Sequence, residues 1–289
     1  MRHVPVDASQ LALQRLYHWE QTAPTRVVFT QPMGGGAVET FTWAQIMDQA
    51  RRMASHLQAQ GIQPGDRVAL ISKNTAWWLI TDFAIWMAGH VSVPLYPTLA
   101  AETIRQILAH SEAKLLFIGK LDGWAGMRPG VPAGLHCIAM PLAPPKAELP
   151  PGCEDWATIQ GHSQPLAGNP VRGSDELATI MYTSGTTGMP KGVMHSFGNF
   201  AWAIDRGLQR IPLTAKDRML SYLPLAHVVE RMLVEHGWLR TGMHVFFAES
   251  LDTFAADLQR ARPTVFFSVP RLWVKFQQGI HQKMPDAKL

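Results

Sequence analysis

The residues best suited to chemistry lie in one string, Tyr-Thr-Ser-Gly-Thr-Thr-Gly-Met-Pro-Lys-Gly, at 182–192. Its last nine residues hold three hydroxyls (Ser184, Thr186, Thr187), three glycines (Gly185, Gly188, Gly192) and Lys191, with Thr183 just ahead. Glycine reaches positive φ without penalty and lets backbone amides approach a ligand closely. Consecutive amides interleaved with hydroxyls make a concavity for anions. A lysine adds a point charge against phosphate oxygens. The pattern reads as a polyphosphate cradle. It is not a Walker A loop, which places Lys directly after Gly and opens a helix with Ser or Thr. Here Pro190 precedes Lys191, Gly192 follows it, and Val193 and Met194 look like strand, so the loop joins two strands. The plain alternative, a Gly-rich hairpin with a mobile tip, does not account for so many phosphate-binding groups in one string.

Strands and helices alternate around this loop, which predicts an α/β architecture with a mostly parallel sheet. Helices are expected at 9–20, 44–60, 74–88, 101–110, 199–210, 226–239, 251–261 and 271–281. Strands are expected at 26–30 and 39–42 as a hairpin, and at 67–72, 91–94, 114–118, 177–183, 192–195, 218–222, 244–248 and 264–269. Pro94 is read as cutting its strand short. The stretch 123–173 is rich in proline and glycine, and only 135–140 looks like strand. It reads as a surface excursion on one domain, with a domain linker as the alternative.

Composition bounds the class. With 289 residues, 47% apolar and 17% charged, the chain is an ordinary globular protein of one large domain or two small ones. The formal charge is +4 and no run of Lys or Arg exceeds two, so nothing points to nucleic acid. The slight basic excess leaves room for peripheral contact with an anionic membrane surface. Two cysteines, Cys137 and Cys153, form no disulfide framework and fit a reducing cytoplasm. The N-terminus lacks an apolar signal core, and the most apolar stretch, 76–95, is broken by Asp82, His90 and Pro94. No His-Glu-x-x-His or Gly-x-Ser-x-Gly occurs, and no metal ligand set is expected.

The string at 182–192 resembles the signature loop of the AMP-forming acyl-CoA synthetase, luciferase and peptide-synthetase adenylation superfamily. A second segment, Tyr-Leu-Pro-Leu-Ala-His-Val-Val-Glu-Arg at 222–231, resembles the long-chain fatty acid synthetases. Arg262-Pro263-Thr264-Val265 through Val269-Pro270-Arg271 is similar to the family's turn beside the acyl pocket. Gly65-Asp66-Arg67-Val68 and Val91-Ser92-Val93-Pro94-Leu95-Tyr96-Pro97-Thr98 resemble its core segments. The resemblance implies ATP-dependent activation of a carboxylic acid, foremost a medium- or long-chain fatty acid, through an acyl-adenylate to its coenzyme A thioester. It implies that Thr183, Ser184, Gly185, Thr186, Thr187, Gly188 and Lys191 hold the ATP phosphates. Thr186, Lys191 and His227 are then the candidate catalytic residues, with His227 orienting the carboxylate and α-phosphate. Mg²⁺ would arrive with ATP and coenzyme A would be the co-substrate. Glu230 and Arg231 read either as a surface charge pair on a helix or as a mark of the long-chain branch.

The resemblance covers the N-terminal part of that fold only. The implied domain is a partial AMP-binding (adenylation) domain spanning 1–289, with the C-terminal subdomain absent. The expectation is that these 289 residues alone do not turn over a fatty acid, and that the missing C-terminal part of the enzyme is a candidate partner. A non-catalytic half-domain that binds nucleotide or a partner, and an adenylating domain for another acid, are the alternatives.

Overall fold

The computed structural model describes residues 6–183 and 189–283. Helix α1 (Ala12–Thr22) leads into a hairpin of β1 (Val27–Gly34) and β2 (Ala37–Thr42). Helix α2 (Trp43–Ala59) follows, started by a capping box in which Thr42 Oγ1 accepts from the Gln45 amide and Gln45 accepts from the Thr42 amide. Then come β3 (Arg67–Ile71), α3 (Ala76–Met87), β4 (Val91–Leu95), α4 (Ala101–Ser111), β5 (Leu115–Ile118) and a single turn α5 (Trp124–Met127). The chain continues through β6 (His136–Ala139), β7 (Glu154–Asp155), α6 (Trp156–His162), β8 (Leu177–Thr183), β9 (Lys191–Ser196) and α7 (Phe197–Leu208). Beyond β10 (Arg218–Ser221) a short turn α8 (Val228–Glu230) runs into a π-helical turn, Arg231–His236, and α9 (Gly237–Thr241). The described chain ends with β11 (His244–Phe247), α10 (Phe254–Ala261) and α11 (Pro270–Lys283).

The strands form two sheets. One has the order β10-β11-β1-β2 and the other β7-β6-β5-β3-β4-β8-β9. Every pairing is parallel except β1 with β2 and β8 with β9. This is the expected α/β class with mostly parallel sheets and flanking helices. All twelve residues of α3 are buried, among them Trp78, Phe83, Trp86 and Asp82. A single apolar cluster takes in α3, α2 and residues of both sheets. Trp238 of α9 is its centre, with ring centroids 4.0 Å from Trp43, 4.5 Å from Phe29 and 5.8 Å from Phe83.

The structure departs from the sequence reading in four places. Pro94 does not end its strand: it pairs with Leu70, and Leu95 continues the register opposite Ile71. On its other side β4 registers with β8 only at Ser92 and Thr179, so the missing amide falls beyond that ladder. The stretch 123–173 is in part threaded into the fold. β6 and β7 extend the larger sheet, and Trp124, Met127, Trp156 and Ile159 are buried anchors. Residues 264–269 form no strand. The amides of Thr264 and Val265 both donate to the Arg218 carbonyl, at 3.0 and 3.4 Å, which is convergence on one acceptor and not a ladder. The helix expected at 226–239 begins at Val228 and loosens into the π-helical turn.

Candidate active site

The cradle string is carried by the antiparallel pair β8–β9. Thr183 and Lys191 face each other as the last registered pair before the loop, and both side chains are exposed. Ser184, Gly185, Thr186, Thr187 and Gly188 lie outside the described residues. The incoming strand is held firmly: buried Tyr182 shares a 2.6 Å hydrogen bond between its hydroxyl and His110 Nδ1 on α4. Gly192 has a packing reason to be glycine. Its φ is ordinary, and a Cβ there would stand 2.7 Å from Ile180 and 3.3 Å from the Tyr182 ring.

His227 is the N-cap of α8. Its Nδ1 accepts from the Val229 amide at 3.2 Å. Because that nitrogen accepts, the neutral ring carries its proton on Nε2, which is then a donor on an exposed side chain. Capping thus fixes both the tautomer and the direction of the free edge. The next two residues, Val228 and Val229, line an apolar cavity of about 420 Å³. Its remaining wall includes Ile204 and Gly207 of α7, Met232 and Leu233 of the π-helical turn, and Val265 and Phe267.

A buried polar lock shapes the segment before the histidine. Glu230 accepts from Ser221 Oγ and from the Tyr222 amide, both at 3.0 Å. Asn74, in the connection between β3 and α3, donates to the Leu223 carbonyl at 2.5 Å and to Ser221 Oγ at 2.8 Å, and accepts from the Leu225 amide at 3.0 Å. Burial pushes the Glu230 carboxyl up to about 8, against the opposing pull of the Ser221, Tyr222 and Leu223 donors. Between the ordinary carboxylate range and about 8, the folded state therefore holds a proton that the unfolded chain has released. Stability contributed at this site is fully present below that window and falls as pH rises through it. The thermal midpoint of the native protein minus that of Glu230→Gln is expected to decline as pH rises to about 8 and then level off. Parallel curves for the two proteins would contradict the assignment.

Arg231 corrects the picture of a surface charge pair. It is fully buried and does not pair with Glu230. Its Nε donates to Glu235 at 2.8 Å, its Nη1 to Thr179 Oγ1 at 2.8 Å, and its Nη2 to Asp82. Trp78, Trp86 and Phe200 enclose the guanidinium, with centroids 5.4 to 5.7 Å away. Burial, with Asp82 adding to it and Arg231 opposing, drives the Glu235 carboxyl well above its ordinary range. Burial and then the Arg231 cation drive His236 well below its own, and the neutral ring stacks on Phe200 at 4.2 Å. The sequence carried a signal for this cluster in Asp82, a carboxylate inside a helix otherwise buried and largely apolar, which needs a buried partner.

A second cleft of about 300 Å³ opens beside the Asn74 lock, at the carboxyl ends of β3, β10 and β11. Lys73, paired with Asp122, lies on its wall with Tyr222 and Glu249. Clefts at carboxyl ends of parallel strands are where open α/β sheets hold ligands. Among the described residues, no group of three or more His, Cys, Asp or Glu side chains is placed to hold a metal ion. Nor is any helix among them long and apolar enough to cross a membrane.

Residues 16–288 match the family model described as AMP-binding enzyme. The chain belongs to this family. It is 32% identical over 278 residues to the long-chain-fatty-acid–CoA ligase FadD15 of Mycobacterium bovis, an alignment covering 94% of this chain and 46% of that ligase. It is 28% identical over 261 residues to long chain acyl-CoA synthetase 1 of Arabidopsis thaliana, covering 85% of this chain and 39% of that one. The AMP-binding chain thus spans less than half the length of these relatives. Among solved structures, it is similar to O-succinylbenzoate coenzyme A synthetase (MenE) of Bacillus subtilis in complex with AMP. That match has a TM-score of 0.72 and 22% identity over 94% of this chain and 65% of that one. ATP-bound MatB of Rhodopseudomonas palustris gives a TM-score of 0.74 and 24% identity, over 92% and 50%. These structures share the fold. By resemblance, the chain corresponds to part of the length of the acid–CoA ligases of this family.

Proposed function

We propose that the protein to which this chain belongs activates a fatty acid with ATP, through an acyl-adenylate, and transfers the acyl group to coenzyme A. The observation that carries this reading is the apolar cavity that begins at the two residues following His227. A long hydrocarbon chain needs such a wall, and a carboxylate at its mouth needs a donor of the kind His227 Nε2 supplies. In this reading Lys191, with Thr183, Ser184, Gly185, Thr186, Thr187 and Gly188, grips the β- and γ-phosphates. Thr186 and Lys191 steady charge on the departing pyrophosphate while His227 aligns the carboxylate with the α-phosphate. Mg²⁺ enters with ATP, and coenzyme A is the co-substrate.

The test is exchange of labelled pyrophosphate into ATP by the full-length protein, dependent on added acid. Fatty acids are expected to drive exchange, and short polar acids are not. Lys191→Ala removes a charge-assisted contact and is expected to raise KM for ATP roughly ten- to hundredfold. No exchange with any fatty acid, or an unchanged KM for ATP in Lys191→Ala, would overturn the reading.

A further inference from the structure

We propose that Arg231 is a positioning residue that sets His227 against the phosphate-gripping loop, by locking the turn that follows the histidine to the strand that feeds the loop. This rests on the functional reading above. Both ends of the connection are four residues from a functional group. The Arg231 amide donates to the His227 carbonyl at 3.1 Å, closing the first turn after the cap. Its guanidinium reaches Thr179, four residues before Thr183 on β8. Thr179 Oγ1 in turn donates to the Ser92 carbonyl on β4 at 2.9 Å. One fork therefore ties β8, the α3 carboxylate of Asp82 and the π-helical turn through Glu235, while its own backbone holds His227.

Stability alone does not explain this arrangement. A buried ionic cluster is commonly no more stable than well-packed hydrocarbon of the same volume; in this proposal its value lies in specifying geometry. Only a planar fork donates in three fixed directions, and lysine cannot replace it. The π-helical turn widens the spiral at this point, a feature frequent at functional sites. Arg231 and Glu235 face the core while Met232 and Leu233 of the same turn line the apolar cavity. A shift of this turn would move the cavity wall and the histidine together.

The experiment is a mutant cycle in the full-length protein, read by fatty-acid-dependent ATP–pyrophosphate exchange. Arg231→Met is expected to lower kcat on the order of a hundredfold, with Arg231→Lys giving little rescue. Thr179→Val, a near-isosteric change that cuts the link from Arg231 to β8 together with the hydroxyl's bond to the Ser92 carbonyl, is expected to lower kcat roughly tenfold with KM for ATP nearly unchanged. In a His227→Ala background each change is expected to cost several-fold less than in the parent, because the part that acts through the histidine is gone and only the shift of the cavity wall remains. Falls of equal size in both backgrounds, or no fall in either, would overturn the proposal. If Arg231→Met does not fold, Thr179→Val decides alone. The unsubstituted protein guards the functional reading separately: absent exchange there sinks that reading, whereas exchange intact there with additive variants sinks only the role of Arg231.

Discussion

Replacing Trp238 by alanine is expected to lower the thermal midpoint by roughly 10 °C, while phenylalanine at the same position costs far less. The indole is fully buried and stacks on Trp43 of α2, Phe29 of β1 and Phe83 of α3. Truncation removes those contacts and leaves a cavity that three different elements cannot close together. Large aromatic truncations of this kind cost about 3–5 kcal/mol, against total stabilities of about 5–15 kcal/mol. Phenylalanine keeps an aromatic face in the stack. It also removes a buried indole N–H that has no hydrogen-bond partner among the described residues, which offsets part of the lost area. Thermal unfolding of the two variants checks the prediction. Equal losses for both would show that the stack is incidental and that volume alone matters.

The fold was largely legible because its strongest signals are local. The apolar run of α3 and the alternating short strands each specify an element without knowledge of its neighbours. What escaped depends on pairing across the chain. Pro94 is acceptable inside β4 because its missing donor lies beyond the Ser92–Thr179 ladder, which periodicity cannot show. Residues 264–269 have strand composition, yet the amides of Thr264 and Val265 converge on the one carbonyl of Arg218. Residues 123–173 read as loop by composition, but Trp124 and Trp156 tie the stretch to the core.

The site was legible by string and not by geometry. The resemblance picked out His227, but the cap that fixes its tautomer follows from a backbone turn. Glu230 and Arg231 are adjacent in sequence and belong to different buried networks, one closing the 222–225 segment through Asn74 and the other reaching β8. Adjacency suggested a pair; the helix turn separated them.

Gly207→Leu is expected to cut kcat/KM for the longest accepted fatty acids on the order of a hundredfold and leave shorter acids nearly untouched. Gly207 sits near the end of α7 on the wall of the apolar cavity, and a Cβ added there meets no atom within 4 Å. The added Cβ therefore meets no protein atom, and a leucine at this position on the cavity wall is expected to take space that the ligand would fill. If it excludes three or four methylenes, each worth about 0.8 kcal/mol of transfer free energy, the lost binding is about 2–3 kcal/mol. The helix itself gains, since glycine within a helix is about 0.5–1 kcal/mol worse than alanine. Reduced activity with an unchanged or raised melting temperature then separates a filled pocket from a damaged fold. Gly161→Leu is the control: it too meets nothing within 4 Å, and it lies on α6, which contributes no residue to the cavity. Rates across a series of acids of increasing length give the readout. A profile that Gly207→Leu leaves unchanged, or that Gly161→Leu shifts equally, would mean that the cavity beside His227 does not hold the acyl chain.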